Sequence, residues 1–178
     1  MRDAPERSIR IKAGVPEIFL AEFRYAEGEE GPSKHIHKEH CDCFYVQEGR
    51  LSLFAGDGWR QLEPGGFAMV PPGVVHTFRN DGPGEARFLN LHVPDCGFAD
   101  NLRGRRDSWD TFDAPEDGGR PGSEAVVGLP AQHELASVEE IELQPGEETR
   151  VTGHYYVLEG DSAGTGARIT GDSRSRGG

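Results

Sequence analysis

Residues Gly65–Asn80 read "GGFAMVPPGVVHTFRN". Two short apolar runs, "GFAMV" and "VVHTF", flank a Pro-Pro-Gly turn, and short runs bounded by Gly and Pro read as strands rather than helices. In the second run, strand alternation puts His76 on the face of Phe78. An imidazole is thereby placed among apolar, core-facing positions.

The same texture extends outward from Glu17 to Val93, through "EIFLAEFRY", "CFYVQEG", "RLSLFAG", "WRQLEPG" and "ARFLNLHV". Several short strands at this close spacing indicate an all-β, antiparallel sandwich or barrel. Beyond them, "FADNLRGRR" sets Phe98 and Leu102 four apart, which predicts one or two helical turns. The Asp-, Gly- and Pro-rich stretch "DSWDTFDAPEDGGRPGSEAVVG" then reads as an extended connection.

Upstream lies "HIHKEHCDCFYVQEG", residues His35 to Gly49. His35 and His37 point the same way from a strand with Cα atoms roughly 6–7 Å apart, a spacing at which two imidazoles converge on one ion. Asp42 shares a face with Phe44 and Val46, and a lone carboxylate on an apolar face is costly unless paired or bound to metal. With His76, three histidines and one carboxylate are expected to face inward. Cys41 and Cys43 then share the opposite face, as packing residues of the sheet.

These residues carry a family pattern. The sequence resembles the cupin superfamily, whose second motif, G-x5-P-x-G-x2-H-x3-N, is met by Gly65, Pro71, Gly73, His76 and Asn80. The first, G-x5-H-x-H-x(3,4)-E-x6-G, is met by His35, His37 and Gly49, with Asp42 in the glutamate's place and neither Gly28 nor Gly31 at the leading position. The resemblance implies a cupin barrel, a double-stranded β-helix or jelly roll, over residues 1–100. A helix and connection over 101–125 follow. It also implies one divalent transition metal ion (iron, manganese, nickel, cobalt, copper or zinc) held by His35, His37, Asp42 and His76, with His40 as the alternative ligand. Asp42 is at the same time the candidate catalytic base.

Near this site, "ARFLNLHV" sorts Phe88, Asn90 and His92 onto one face and Leu89, Leu91 and Val93 onto the other. Periodicity does not choose which face is inside; if the first is, Asn90 and His92 join Phe44 and Phe78 as pocket residues. Trp59 and Trp109 read as packing residues, and His133 and His154 have no partner at ligand spacing.

A weaker echo of "FYVQEG" recurs as "YYVLEG" at Tyr155–Gly160. Residues 126–160 therefore read as a degenerate partial cupin unit, without the His-x-His pair or the carboxylate, and 161–178 as a disordered tail.

Asp and Glu outnumber Lys and Arg by 31 to 19, a balance that repels phosphate backbones and anionic headgroups, so neither nucleic acid nor membrane is expected as a partner. Three cysteines without a CxxC pair fit free thiols in a reducing, cytoplasmic setting. Likeness to the quercetinase-like cupins implies an oxygenase acting on a small hydroxylated or aromatic molecule. A redox-neutral isomerase, decarboxylase or cyclase is the alternative enzyme class, and a non-catalytic small-molecule-binding cupin the alternative outside catalysis. The family's habit implies a homodimer.

Overall fold

The computed structural model describes residues 8–144, 147, 149, 153–159 and 165–170. In chain order the barrel strands are β1 (Ser8–Val15), β2 (Ile18–Tyr25), β3 (His35–Ile36), β4 (Cys41–Glu48), β5 (Leu51–Ala55), β6 (Gly58–Leu62), β7 (Phe67–Val70), β8 (His76–Arg79) and β9 (Ala86–Val93). A short helix, α1 (Phe98–Leu102), is followed by β10 (Phe112–Asp113), β11 (Val126–Val127), β12 (Ala131–Gln132), β13 (Ser137–Glu142), β14 (His154–Glu159) and β15 (Thr165–Thr170).

Two antiparallel sheets enclose the core, one ordered β1-β2-β9-β4-β7-β11 and the other β10-β3-β8-β5-β6. A third sheet, β12-β13-β15-β14, lies against the outer face of the first. Inside the barrel Phe19, Phe44, Val46, Leu53 and Phe88 are fully buried. Each contributes about 1.5–3 kcal/mol through its removal from water. The outer face of the first sheet presents Cys43, Met69, Leu89 and Leu91, buried beneath Ala131, Ala136 and Val138.

Coverage on both faces is why "IFLAEFRY" is a nearly unbroken apolar run and buried almost throughout. β8, with one face toward solvent, keeps the strict alternation of a half-buried strand.

The family-motif positions that carry no imidazole shape the backbone. Gly49 turns β4 into β5 at φ 72°, and a Cβ there would sit 2.3 Å from the carbonyl oxygen of Glu85. Asn80 donates to the carbonyls of Tyr25, Ala26 and Gly84 and accepts from the Gly82 N–H, tying two loops to the end of β8.

The Asp- and Gly-rich connection lies on the barrel: Phe112 pairs with Ile36, and Val126 with Met69. Composition reads residues 161–178 as a disordered tail, but the structure corrects this for Thr165–Thr170, which form β15 between β13 and β14. Backbone pairing on both sides supplies the order that the small, polar side chains do not signal. The rest of the tail, 161–164 and 171–178, lies outside the described residues, as does Gly160 of the repeated "YYVLEG". Trp59 is not a core residue: it is 44 % exposed, with Phe54 against its edge and the Arg79 guanidinium 4.1 Å above its ring.

Candidate metal centre

Strand register assembles the donors. β3 faces β8 through a single pair, His35 opposite His76, which joins residues 41 positions apart. β4 sets Asp42 opposite His92 of β9 on one side and Val70 of β7 on the other. His35, His37, Asp42 and His76 thus come together, all buried, each offering a ligand atom within 4.8 Å of the others. Two ligands bound at about 2.1 Å to one ion are at most about 4.2 Å apart, so the set needs to close by only about 0.6 Å around a cation.

Hydrogen bonds fix how each ring presents itself. The Nδ1–H of His35 donates to the Ser33 carbonyl at 2.8 Å, that of His37 to the Asp110 carbonyl at 2.6 Å, and that of His76 to the Val74 carbonyl at 2.9 Å. Each ring, when neutral, is thereby held as the tautomer whose Nε2 carries a lone pair. Nε2 of His76 lies 3.2 Å, and that of His37 3.7 Å, from Oδ2 of Asp42. Lone pairs facing a carboxylate repel unless a proton or a metal ion sits between them. Nε2 of His37 has no hydrogen-bond partner among the described residues although it is buried. A divalent metal satisfies that atom and removes the repulsion, so the residues fit the ion.

Charge states agree with this. Burial drives the pKa of His35 down to about 4, assisted by neighbouring His76 and His37, and burial likewise lowers that of His37. For Asp42 burial opposes ionisation, but His92, His37 and His76 around it prevail and hold the carboxyl well below the usual carboxylate range. Neutral imidazoles beside an ionised carboxylate are the deprotonated donors that a metal requires. The other oxygen of Asp42, Oδ1, accepts from Asn90 Nδ2 at 2.5 Å and stands 3.4 Å from His92 Nε2.

The interior face of β9 is therefore the one bearing Phe88, Asn90 and His92, since Phe44 pairs with Asn90 and Asp42 with His92. Phe44 and Phe78 pack in the barrel interior, their ring centroids 5.0 Å apart, and Phe78 also lines the cavity beside the donors.

His40 lies outside the four-residue set. Its Nδ1–H donates to Asp110 Oδ2 at 2.8 Å, and its ring stacks on His37 and His92. With His37 and Asp110 it forms a second cluster. However, the Asp110 carboxylate already accepts from the His40 ring and from the backbone N–H groups of Lys38 and Glu39. These bonds outweigh burial and lower its pKa. Asp110 fastens the loop that carries His37, and it occupies His40 in doing so.

Asp110 and Trp109 are site residues that spacing did not reveal. Trp109 stacks on His92 with ring planes 12° apart and packs tilted against Phe98 at 4.2 Å between centroids, so it is a wall of the site. Both come from the connection about seventy positions away, where their only sequence signal is a tryptophan in a stretch otherwise poor in large apolar residues.

Cys41 and Cys43 face away from the donors, buried beneath the third sheet. Burial raises the Cys41 thiol to about 12, and it donates to His133 Nδ1 at 3.3 Å. That contact gives His133 a partner 92 residues away.

A cavity of about 220 Å³ adjoins the donors, lined among others by His35, Asp42, Asn90, His92, Phe98 and Trp109. An antiparallel double-sheet barrel with inward histidines and a carboxylate defines the cupin class. Residues 21–92 match the family model described as "Cupin domain", and this part of the chain is a cupin domain. Over 58 residues it is 36% identical to quercetin 2,3-dioxygenase of Bacillus subtilis (strain 168), a stretch covering 32% of this chain and 17% of that protein. Among solved structures it is similar to a conserved protein with a double-stranded beta-helix domain from Klebsiella pneumoniae (23% identity, TM-score 0.47, covering 53% of this chain and 83% of that one). It is also similar to a sugar phosphate isomerase of the cupin superfamily from Silicibacter pomeroyi (26%, TM-score 0.46, 51% and 60%).

Proposed function

We propose that this cupin is a metal-dependent oxygenase acting on a small hydroxylated aromatic molecule. The observation that carries the reading is the set of three histidines, each pinned through Nδ1 to a backbone carbonyl, converging on one carboxylate beside an aromatic-walled cavity. The name of the Bacillus subtilis relative supports the oxygenase class.

A divalent transition metal, when bound, would supply a Lewis-acidic centre for activating the substrate hydroxyl and dioxygen. His35, His37, His76 and Asp42 would hold it. Both atoms of dioxygen enter the product, so no external reductant is required. Asp42 is a weaker base than its position suggests, because its pKa is held low and Oδ1 is occupied by Asn90. His92 lines the cavity with a buried Nδ1 that has no partner among the described residues, and it takes the proton leaving the substrate hydroxyl. Phe98 and Trp109 hold its ring in place and shield it from water.

The test is oxygen uptake by iron-loaded protein against an anaerobic control, beside His92→Gln. Loss of a general base lowers turnover by about 10²–10⁴-fold, and metal content is expected to stay at the wild-type level. Substrate consumption without dioxygen, retained with zinc in place of iron, would move the site to the redox-neutral isomerase, decarboxylase or cyclase class.

A further inference from the structure

Resting on the reading that this cavity receives the substrate, we infer that the ligand is a single hydroxylated aromatic ring, without a second ring system and without phosphate. Size sets the first limit. A cavity of about 150 Å³ holds benzene, whereas drug-sized, multi-ring ligands occupy roughly 300–1,000 Å³. At about 220 Å³ the cavity admits one ring and a few substituents.

The lining sets the second limit. Phe23, Tyr25, Phe78, Phe98 and Trp109 offer ring faces and edges, and among the described residues lining the cavity there is no Lys or Arg. Apart from a metal ion, which a ring hydroxyl would also claim, a phosphate group would find no Lys or Arg in the lining to pair with its charge. An unsubstituted sugar would bring a hydroxyl on nearly every carbon to these apolar walls, and each hydroxyl left without a partner costs affinity.

Polarity sets the orientation. His35, Asp42, Asn90 and His92 cluster where the metal donors converge, while Ile9 and Leu102 add apolar wall. A ring carrying adjacent hydroxyls, or a hydroxyl beside a carbonyl, turns its oxygens toward the metal end and its carbon edge toward α1. Phe98 and Leu102 of α1 thus limit the ring count.

The experiment titrates zinc-loaded protein, which binds without oxidising, with catechol, quercetin and glucose 6-phosphate by calorimetry. Quenching of Trp109 in the Trp59→Phe background, where it is the sole tryptophan, gives a second readout. Catechol is expected to bind saturably and the other two not at all. Phe98→Ala should weaken catechol binding about three- to tenfold and admit quercetin; Leu102→Ala, a smaller change on the same helix, should admit quercetin with catechol binding kept. Binding of quercetin or glucose 6-phosphate to the wild type more tightly than catechol overturns the inference. Catechol bound without oxygen uptake by the iron-loaded protein overturns the oxygenase reading and leaves this one standing.

Discussion

Asp42 stands where the family pattern has a glutamate one methylene longer, yet it reaches the histidines. β4 holds it opposite His92, and Asn90 pulls Oδ1 to one side, which aims Oδ2 at His76 and His37. Asp42→Asn keeps the shape and removes the charge. It is expected to lower metal affinity by more than the roughly 10–100-fold typical of an outer-shell partner, measured by elemental analysis and competition with a chelator. Retention of stoichiometric metal in Asp42→Ala would remove the carboxylate from the ligand set and bring His40 into it. The buried histidines also make the metal-free protein acid-sensitive. Burial lowers His35 to about 4 and, with His92 beside it, His40 to about 3, both from 6.5. Between those values and 6.5 the unfolded chain binds more protons than the folded one, so stability rises with pH through that window. The contribution is present in full above 6.5 and is lost as pH falls toward 4 and 3, up to about 8 kcal/mol in total. Urea midpoints of chelator-treated protein at pH 7 and pH 4.5 check this; a higher midpoint at pH 4.5 contradicts it.

At the scale of elements, the site depends on a loop and a connection with little regular structure of their own. β3 is two residues long, and the chain from His37 to His40 is held by Asp110 through two backbone N–H groups and one imidazole. Asp110→Ala leaves those donors without their acceptor. Metal affinity is expected to fall about 10–100-fold with the barrel intact, measured by chelator competition beside far-ultraviolet circular dichroism; unchanged affinity would make Asp110 a stabilising cap alone. This is also where sequence legibility ends. His35, His37, Asp42 and His76 are readable because strand alternation fixes their faces and motif spacing fixes their register. The inward face of β9 is not, since Phe88, Asn90 and His92 are no more apolar than Leu89, Leu91 and Val93. Both faces of that strand are buried, so polarity carries no sign of direction. Trp109 and Asp110 escape for a different reason: they reach the site through a contact of long sequence separation, in a stretch whose composition resembles a linker. β15 escapes because pairing through the backbone leaves little trace in its side chains.

At the scale of the molecule, the third sheet covers an apolar outer face of the barrel. Ala131, Ala136 and Val138 lie over Cys43, Phe67, Met69, Leu89 and Leu91, and Tyr156 and Leu158 pack beside them. Apolar surface of that extent would otherwise be an association site. The homodimer implied by the family resemblance therefore finds this face taken by the chain's own strands, and the expected species is a monomer unless another surface serves. Val138→Glu tests the cover directly. It places a carboxylate 3 % exposed into an apolar cluster without a basic partner among the cluster residues, a burial that the third sheet relieves only by lifting away. The barrel keeps its inner core and its metal donors, because none of the four depends on the third sheet for a hydrogen bond. Size-exclusion chromatography with light scattering should show the wild type as a monomer and Val138→Glu as a dimer or larger species with wild-type metal content. A wild-type dimer that survives the substitution would place the interface elsewhere, with β6 and β14, edge strands among the described residues, as the surfaces to examine next.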